Sequence, residues 1–375
     1  MKNKKNLSLY LHIPFCVQKC EYCDFLSFSA SEEDRNSYVR ELKKEIAWKG
    51  RLAEEYRVIS VFFGGGTPSL LSEDEMSCLL EEIYRSYDVS SHVEITTEAN
   101  PGTLTKKKLS IYRKAGINRL SIGLQSTDDR ELAMLGRIHT YDEFLKSFYD
   151  AREAGFENIN IDLMSALPGQ TLESYQQTLC RVVSLDPEHI SAYSLIVEDG
   201  TPLAKNRDLL KKIPDEDLDR AMYQLTKEYL HQYGYERYEI SNYAKDGKEC
   251  IHNIVYWTGG AYLGLGLGAS SYFEGERYCN EEELKKYHFQ SEKKQLQILS
   301  EKDGMEEFMF LGMRMTKGIS KKEFFHRFHK TIDSVYGDIL KKQEEEQLIR
   351  CGNDRICLTE KGLDISNYVF CDYLF

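Results

Sequence analysis

Three features that define large classes of proteins are missing from this sequence. No apolar run approaches the roughly 18 residues that a membrane-spanning helix requires. An excess of positive charge is also missing, because 61 Asp and Glu outnumber 49 Lys and Arg and leave a formal net charge of −12. This acidic balance excludes a general binder of nucleic acids or anionic membranes, since such binders need a basic surface.

The third missing feature is a cleavable secretion signal. The basic start Met1–Lys5 is followed by an apolar stretch that is short, contains His12 and Pro14, and has no small-residue cleavage site. We therefore expect a cytoplasmic protein whose thiols stay reduced. Its 10 cysteines are then free thiols or metal ligands and not a disulfide framework.

What the sequence contains is the composition of an ordinary globular protein. Hydrophobic residues make up 41% and charged residues 29% of the 375 residues, which is unlike a disordered chain. At about 150 residues per domain, this length predicts two domains, or one large barrel with an extension.

Residues 1–245 alternate short β-rich runs with longer helical stretches. The predicted strands are Leu7–Ile13, Val58–Phe63, Val93–Thr97, Arg119–Gly123, Asn158–Leu163, His189–Ser194 and Tyr238–Ser241. The predicted helices are Asp34–Glu54, Asp74–Tyr87, Thr105–Lys114, Tyr141–Ala154, Leu172–Ser184 and Asp217–Tyr233. Such alternation predicts an α/β fold with a parallel sheet, open or closed into a barrel. Because these units are fewer than the eight of a full barrel, we favour a partial (β/α)6-type TIM barrel over a doubly wound sheet.

A repeated segment supports this interpretation. Ala115–Ile122 recurs as Ala154–Ile161, and a weaker copy is Tyr233–Ile240. Each copy predicts a helix that is closed by a left-handed glycine and leads into a strand.

The pattern changes after residue 245. Residues 246–300 form a segment that contains the glycine-rich run Gly259–Gly268. The charged stretch Glu281–Lys302, which reaches just past its end, we interpret as a linker or surface helix. Residues 301–375 predict three helices, a short β-pair and a last helix, which suggests a winged-helix-like module. From residue 300 onward the net charge is −2, so we expect this module to cover substrate or stabilise the fold and not to bind DNA.

Three cysteines form the strongest local pattern in the chain. Cys16, Cys20 and Cys23 give a C-x3-C-x2-C motif directly after the first predicted strand, where barrels build their sites. Thiolates so close together imply a metal. A four-iron cluster held by three cysteines leaves one iron open, whereas structural zinc requires a fourth ligand, for which His12 and Asp24 are the local candidates. The cluster is the favoured interpretation; zinc and unmetallated thiols stay open.

The strand followed by this motif, Tyr10–Cys23, resembles the radical S-adenosylmethionine (SAM) superfamily and its HemN/HemW family. The resemblance extends over nearly the whole chain, including the C-terminal module. It implies a 4Fe–4S cluster on the three cysteines and SAM on the open iron, where the reduced cluster would cleave SAM to methionine and a 5′-deoxyadenosyl radical. The family's SAM contacts match residues on Gly64–Pro68 and on the predicted strand ends: Tyr10, Tyr22, Gly65, Gly66, Thr67, Glu98, Gln125, Arg137 and Asp162.

Each of these residues also has a structural interpretation. A glycine triplet is often a plain turn, and Tyr10 and Tyr22 match ordinary aromatic packing. An acidic residue inside an apolar strand needs a partner when it is buried, and Arg137 is the expected ion-pair partner of Asp162.

Two departures separate the sequence from the oxygen-independent coproporphyrinogen III oxidase of that family. The oxidase has a further cysteine two residues after the third, where this chain has Phe25, and it has a longer segment before the motif. The segment His252–Trp257 instead resembles the His-Asn-x-x-Tyr-Trp motif of the family's haem-chaperone members. The resemblance therefore implies haem contacts by His252, Tyr256 and Trp257, with His252 as a ligand of the haem iron.

The favoured function is a haem chaperone with a 4Fe–4S cluster, SAM and haem that transfers haem to an acceptor protein. The alternative is the oxidase, which forms protoporphyrinogen IX. Expected partners are haem, a haem-accepting protein and an electron donor for the cluster, with no nucleic acid. We expect contact with a membrane only through the acceptor protein. Whether the protein forms a homodimer is left open by the sequence.

Overall fold

The computed structural model describes residues 4–374, so the basic start at residues 1–3 lies outside the described residues. Six parallel strands form the centre of the main sheet: β1 (Lys5–Ile13), β2 (Tyr56–Gly65), β3 (Val89–Ala99), β4 (Arg119–Gln125), β5 (Ile159–Ser165) and β6 (His189–Ser194). They lie side by side in chain order. The predicted α/β fold with a partial (β/α)6 barrel is confirmed.

Helices connect these strands and cover the outside of the barrel. They are α1 (Glu32–Gly50), α2 (Glu73–Ser86), α3 (Lys106–Ala115), α4 (Asp129–Met134), α5 (Tyr141–Glu153), α6 (Leu172–Val183), α7 (Pro202–Lys205), α8 (Arg207–Leu210) and α9 (Glu216–Gln232). Short 3-10 turns lie at Arg51–Ala53 and Pro68–Leu70. Ser72 and Thr140 form capping boxes at the starts of α2 and α5, which satisfy backbone N–H groups that a helix start leaves unpaired.

The apolar strands pack into one continuous core. Every residue of β4 except Gln125 is buried, because a parallel strand is covered by helices on one side and by the barrel interior on the other. The repeat-unit glycines Gly116, Gly155 and Gly234 have φ of +109°, +87° and +82°. The predicted left-handed helix ends are therefore confirmed.

The seventh predicted strand, Tyr238–Ser241, is wrong. These residues form the loop between β7 (Glu236–Arg237) and β8 (Asn242–Ala244), an antiparallel hairpin whose second strand pairs with β6. Glu239 stabilises the loop by accepting hydrogen bonds from the Ser241 N–H at 2.9 Å and from Asn242 Nδ2 at 2.5 Å. Tyr238–Ser241 alternates larger and polar residues as a strand does, but the polar residue Glu239 is buried because its hydrogen bonds are made within the loop.

The interpretation of Glu281–Lys302 as a linker or surface helix also needs correction. After α10 (Ile251–Trp257), the chain adds four strands to the β1 side of the sheet: β9 (Tyr262–Leu265), β10 (Ser270–Phe273), β11 (Glu276–Cys279) and β12 (Lys294–Ile298). All five residues of β12 are exposed, and Gln295 has a φ of +49°. The alternation of Leu296 and Ile298 with glutamines covers only four residues inside a charged stretch, which makes the strand signal weak.

The C-terminal segment forms a module with its own core. Its elements are α11 (Glu301–Gly312), β13 (Ile319–Ser320), α12 (Lys321–Phe328), α13 (Ile332–Glu345), β14 (Ile349–Cys351), β15 (Arg355–Leu358), α14 (Glu360–Asp364) and α15 (Ser366–Cys371). The sheet order β13-β15-β14 and the helix-strand-helix-helix-hairpin succession are those of a winged helix. The domain limits at 245 and 300 stay a prediction. Among residues 4–374, no helix is long and apolar enough to cross a membrane.

Candidate functional site

The three motif cysteines lie in a loop at the carboxyl end of β1. The loop is fixed at its base, where the Cys16 N–H donates to Phe28 O at 3.0 Å and the Phe28 N–H donates to Pro14 O at 2.9 Å. His12 Nε2 lies 2.8 Å from Leu26 O and therefore carries the hydrogen. These contacts present the thiols on a stable support, at the barrel end where sites are built.

All three thiols line one cavity of about 330 Å³. The same cavity is lined by every other residue expected at the SAM site except Tyr10: Tyr22, Gly65, Gly66, Thr67, Glu98, Gln125, Arg137 and Asp162. They come from the loop after β1 and from β2 to β5 with the segments that follow them, and Arg137 comes from the segment after α4. The parallel order of the strands brings these segments to one end of the barrel. The volume falls within the range of small-molecule sites.

The cavity gives the thiols few protein partners. Cys20 Sγ accepts a hydrogen bond from Arg137 Nη1 at 3.6 Å, and Cys16 Sγ lies 3.5 Å from Thr67 Oγ1. Burial raises the pKa of Cys23. Three free, half-buried thiols, one of them beside a guanidinium, are donors of the kind that hold an iron–sulfur cluster.

The candidates for a fourth zinc ligand do not join the cysteines. His12 lines a different cavity, and its Nδ1 accepts from Tyr10 OH at 3.1 Å while its Nε2 donates to Leu26 O. Asp24 does not line the cysteine cavity. Within residues 4–374, no group of three or more His, Cys, Asp or Glu side chains is close enough together to bind a single metal ion. The donor set, three cysteines without a fourth protein ligand beside them in this part of the chain, fits a cluster with an open iron.

The glycine loop after β2 requires its small residues. A Cβ on Gly66 would lie 2.7 Å from the backbone oxygen of Phe15, and one on Gly65 would lie 2.5 Å from the His12 ring. Gly65 also has a φ of +111°, which side chains disfavour. The loop therefore packs directly against the base of the cysteine loop and leaves its backbone open to the cavity.

Glu98 stands at the end of β3 with an altered acidity. Its Oε2 accepts a hydrogen bond from the Gly65 N–H at 3.1 Å. Burial and the nearby Asp162 carboxyl raise the pKa of Glu98 to about 8. At neutral pH this acid is mostly protonated, and a positively charged ligand in the cavity would favour its ionised form.

The expected ion pair between Arg137 and Asp162 is absent, and that prediction is wrong. Arg137 Nη2 donates to Asn100 Oδ1 and to Gly123 O, both at 2.7 Å. Asp162 accepts from Asn160 Nδ2 at 2.7 Å and from Ser121 Oγ at 3.1 Å. Arg137 thus has neutral oxygen partners in β4 and on the residue after β3, and Asp162 has neutral partners in β4 and in its own strand β5. Both side chains face the cavity.

Gln125 ends β4 in a left-handed conformation with a φ of +71°. Non-glycine residues rarely adopt this conformation, and such strain concentrates at functional sites. The side chain lines the cysteine cavity, so the strained turn directs it toward the other candidate SAM contacts.

Tyr10 and Tyr22 occupy different places. Tyr22 lines the cysteine cavity, as expected. Tyr10 instead lines an adjoining cavity of about 510 Å³, which we call the aromatic cavity. It is lined by Phe25, Tyr256, Trp257, Tyr262, Tyr272 and Arg277 among others. Both cavities include Phe25, Gly65 and Glu98 in their walls, so they are neighbours.

The three residues expected to contact haem do not lie in one cavity. Tyr256 and Trp257 line the aromatic cavity, but His252 does not. His252 is 1% exposed, with Nδ1 at 3.0 Å from Ser60 Oγ and Nε2 at 2.8 Å from Tyr256 OH. Burial, with the Arg119 guanidinium nearby, lowers the pKa of His252 to about 3, so the ring is neutral. Both nitrogens are occupied, and neither is free to ligate iron in this conformation.

Sequence reasoning did not single out several residues of the site. Asn100, Ser121 and Tyr193 also line the cysteine cavity. Asn100 follows β3 directly, so its position at a strand end was a usable signal. Arg119 is 2% exposed in the barrel interior, and no local pattern marks it.

Comparison with protein families matches residues 10–180 to the radical SAM superfamily and residues 299–365 to the HemN C-terminal domain. The chain is 37% identical to the heme chaperone HemW of Bacillus subtilis (strain 168), and the match spans 98% of this chain and 99% of that protein. It is 36% identical to the heme chaperone HemW of Lactococcus lactis subsp. lactis (strain IL1403), over 100% of this chain and 98% of the relative.

A similar fold occurs in a solved structure, coproporphyrinogen III oxidase (HemN) from Escherichia coli, described as a radical SAM enzyme. The TM-score is 0.87 at 23% sequence identity, and the match covers 99% of this chain and 90% of the other. At this identity the likeness establishes the fold alone.

Proposed function

The chain belongs to the HemW family of the radical SAM superfamily, and from that premise we propose that it is a haem chaperone that binds a 4Fe–4S cluster, SAM and haem and transfers the haem to an acceptor protein. The observation that carries the proposal is the pair of adjoining cavities. One is lined by three thiols and the other by aromatic side chains, and Gly65 and Glu98 belong to both.

In this proposal Cys16, Cys20 and Cys23 hold the cluster. The cluster would supply an open iron for SAM and, when reduced by an electron donor, the electron that cleaves it. The residues of this chain position the ligand. The Gly64–Thr67 loop offers backbone groups at close range, and Glu98 accepts a hydrogen bond from the amino group of SAM.

Arg137 has a second role in the same cavity. Its guanidinium lies 3.6 Å from Cys20 Sγ, where its positive charge would balance part of the negative charge of a cluster held by the three cysteines. Because its other contacts are to Asn100 and Gly123 O, it stays fixed without an acidic partner.

Haem would bind in the aromatic cavity. Flat rings such as Tyr256 and Trp257 suit a porphyrin face. The cation in the cavity wall is Arg277, which a propionate would share with Glu307, its ion-pair partner at 2.8 Å. Trp257 Nε1 is buried without a hydrogen-bond partner among the described residues, a donor that a ligand would satisfy. His252 then acts behind Tyr256, as a positioning residue, and becomes an iron ligand only if its hydrogen bond to Tyr256 opens.

The exchange of cysteine for Phe25 favours this function over that of the oxidase. Phe25 is 63% exposed and lines both cavities. An apolar ring at this point suits a tetrapyrrole face, whereas the oxidase has a cysteine there.

One paired experiment tests the proposal. The cluster is reconstituted without oxygen, the protein is titrated with haemin, and coproporphyrinogen III is assayed with SAM and a reductant. We expect stoichiometric haem binding, transfer of haem to an apo-acceptor, and no release of carbon dioxide. Turnover to protoporphyrinogen IX, or no haem binding by the reconstituted protein, would contradict it.

A further inference from the structure

We propose that Arg119 anchors a carboxylate-binding subsite in the barrel interior, behind the two cavities described above. The proposal rests on the proposed function in one respect only, because the carboxylate must belong to a ligand of those cavities. Two such ligands carry the chemistry: the aminoacyl carboxylate of SAM and a propionate of haem.

The first observation is a third cavity, of about 220 Å³, in the barrel interior. The side chains of Glu98, Ser121, Asp162 and Tyr193 line it as well as the cysteine cavity. Tyr10, Glu98 and Tyr256 line it as well as the aromatic cavity. The interior cavity therefore adjoins both candidate ligand sites and has the size of a few atoms of a ligand's tail.

The second observation is that Arg119 lines this cavity without a partner. The side chain is 2% exposed, and its Nε has no hydrogen-bond partner. Across residues 4–374, no ion pair or hydrogen bond of its guanidinium is found. A guanidinium has five N–H donors, and a buried charge is normally paired.

The acidic groups nearest to Arg119 are engaged elsewhere. Glu94 accepts from the N–H groups of Ile251 and His252, both at 3.1 Å, at the start of α10. Asp162 accepts from Ser121 and Asn160. Glu98, which lines the same cavity, accepts from the Gly65 N–H at 3.1 Å. All three carboxyl groups moderate the charge of Arg119 from a distance, but none accepts a hydrogen bond from it.

A carboxylate satisfies this arrangement better than water alone. Ordered water would fill a polar cavity of this volume and accept hydrogen bonds, but it brings no negative charge. A carboxylate brings two acceptor oxygens and can pair with the guanidinium through two parallel hydrogen bonds.

The test is a coupling measurement on the reconstituted protein. Affinities of wild type and Arg119→Met are measured for SAM and decarboxylated SAM, and for haemin and haemin dimethyl ester. If the carboxylate sits on Arg119, the substitution weakens binding of that one ligand by about 10- to 100-fold and leaves its carboxylate-free analogue unchanged. The ligand that shows this coupling identifies the source. Arg130→Met, at an exposed ion pair, is the matched control and should change neither affinity.

Stability supplies an independent readout. Replacing an unpaired buried charge by an apolar side chain of similar length should leave the Tm of the ligand-free protein unchanged or raise it. A structural role predicts the opposite, a lowered Tm. If the Met variant does not fold, the same set of affinities can be measured with Arg119→Gln, which has a neutral polar side chain.

The possible outcomes separate the two proposals. Equal affinities of wild type and variant for all four ligands would mean that the cavity holds only water, and would overturn the role of Arg119. If the wild-type protein binds neither SAM nor haemin, the proposed function itself fails.

Discussion

The cysteine loop and helix α10 differ in what they leave free. The three thiols in the loop face a cavity, and their side-chain partners are Thr67 at Cys16, Arg137 at Cys20 and Ser27 at Cys23. His252 on α10 is buried and has a hydrogen-bond partner on each ring nitrogen. A potential ligand whose donor atoms are satisfied by the fold supports the structure, whereas one that is left unsatisfied is available for binding. This difference separates the cysteine motif from the histidine motif, both of which the sequence offers as ligand sites.

The largest effect is expected in the cysteine loop. Replacing Cys16, Cys20 or Cys23 by Ser should abolish the iron–sulfur absorbance and the bound iron of the anaerobically reconstituted protein, because each thiolate binds a separate iron. Circular dichroism of the unreconstituted variants should stay at the wild-type level. Cys180→Ser, at an exposed thiol, is the control and should retain the full absorbance. A cluster that persists after any one of the three changes removes that cysteine from the ligand set.

The glycine loop should be the next most sensitive element. In Gly66→Ala the new methyl group meets the backbone oxygen of Phe15 at 2.7 Å, so we expect a loss of about 3 kcal/mol of unfolding free energy together with weaker SAM binding. Gly337→Ala is the matched control, because nothing lies within 4 Å of the added Cβ in helix α13. That change should stabilise by about 0.5–1 kcal/mol. Urea denaturation measures both, and equal effects of the two changes would refute the tight packing of the loop.

Tyr256→Phe tests whether the hydrogen bonds of His252 keep it from binding a ligand. The change leaves His252 Nε2 without its 2.8 Å partner, so we expect a loss of about 2 kcal/mol of stability and little change in haem affinity. If His252 is the iron ligand, freeing its nitrogen should instead strengthen haem binding and add a histidine signature to the haem spectrum. That result would show that His252 is available to bind the haem iron.

The smallest effect concerns the acidity of Glu98. Its pKa of about 8 means that the carboxyl group must lose a proton to form an ion pair with a positively charged SAM amino group. Binding then releases a proton, and affinity should rise with pH between 6 and 7.5 by at most about tenfold per unit. Calorimetry in buffers of different ionisation enthalpy measures the released proton. Glu98→Gln should bind with a flat pH profile; a sloping profile in this variant would assign the proton to another group.

The sequence predicted what depends on local chemistry and order along the chain. The parallel strands, their left-handed glycines and the cysteine loop follow from composition, spacing and position after β1. The position of His252 did not, because its partner Ser60 lies 192 residues away and a shared hydrogen bond leaves no trace in either segment. The pairing of Arg137 with Asp162 failed for the same reason: neutral partners on neighbouring strands replaced a charge pair that chemistry alone suggested.

The outermost strand of the main sheet has a consequence for the protein in concentrated solution. A sheet of twelve strands offers an unpaired backbone edge on which another chain can add a strand and begin a fibrous aggregate. One of the two edges is β12, which begins with Lys294 and is bent at the left-handed Gln295, and the other is β7. The charge and the bend make the β12 edge a poor template for a further strand. At this edge, an irregular strand that carries a charge takes the place of a helix or loop that would cover the unpaired backbone groups.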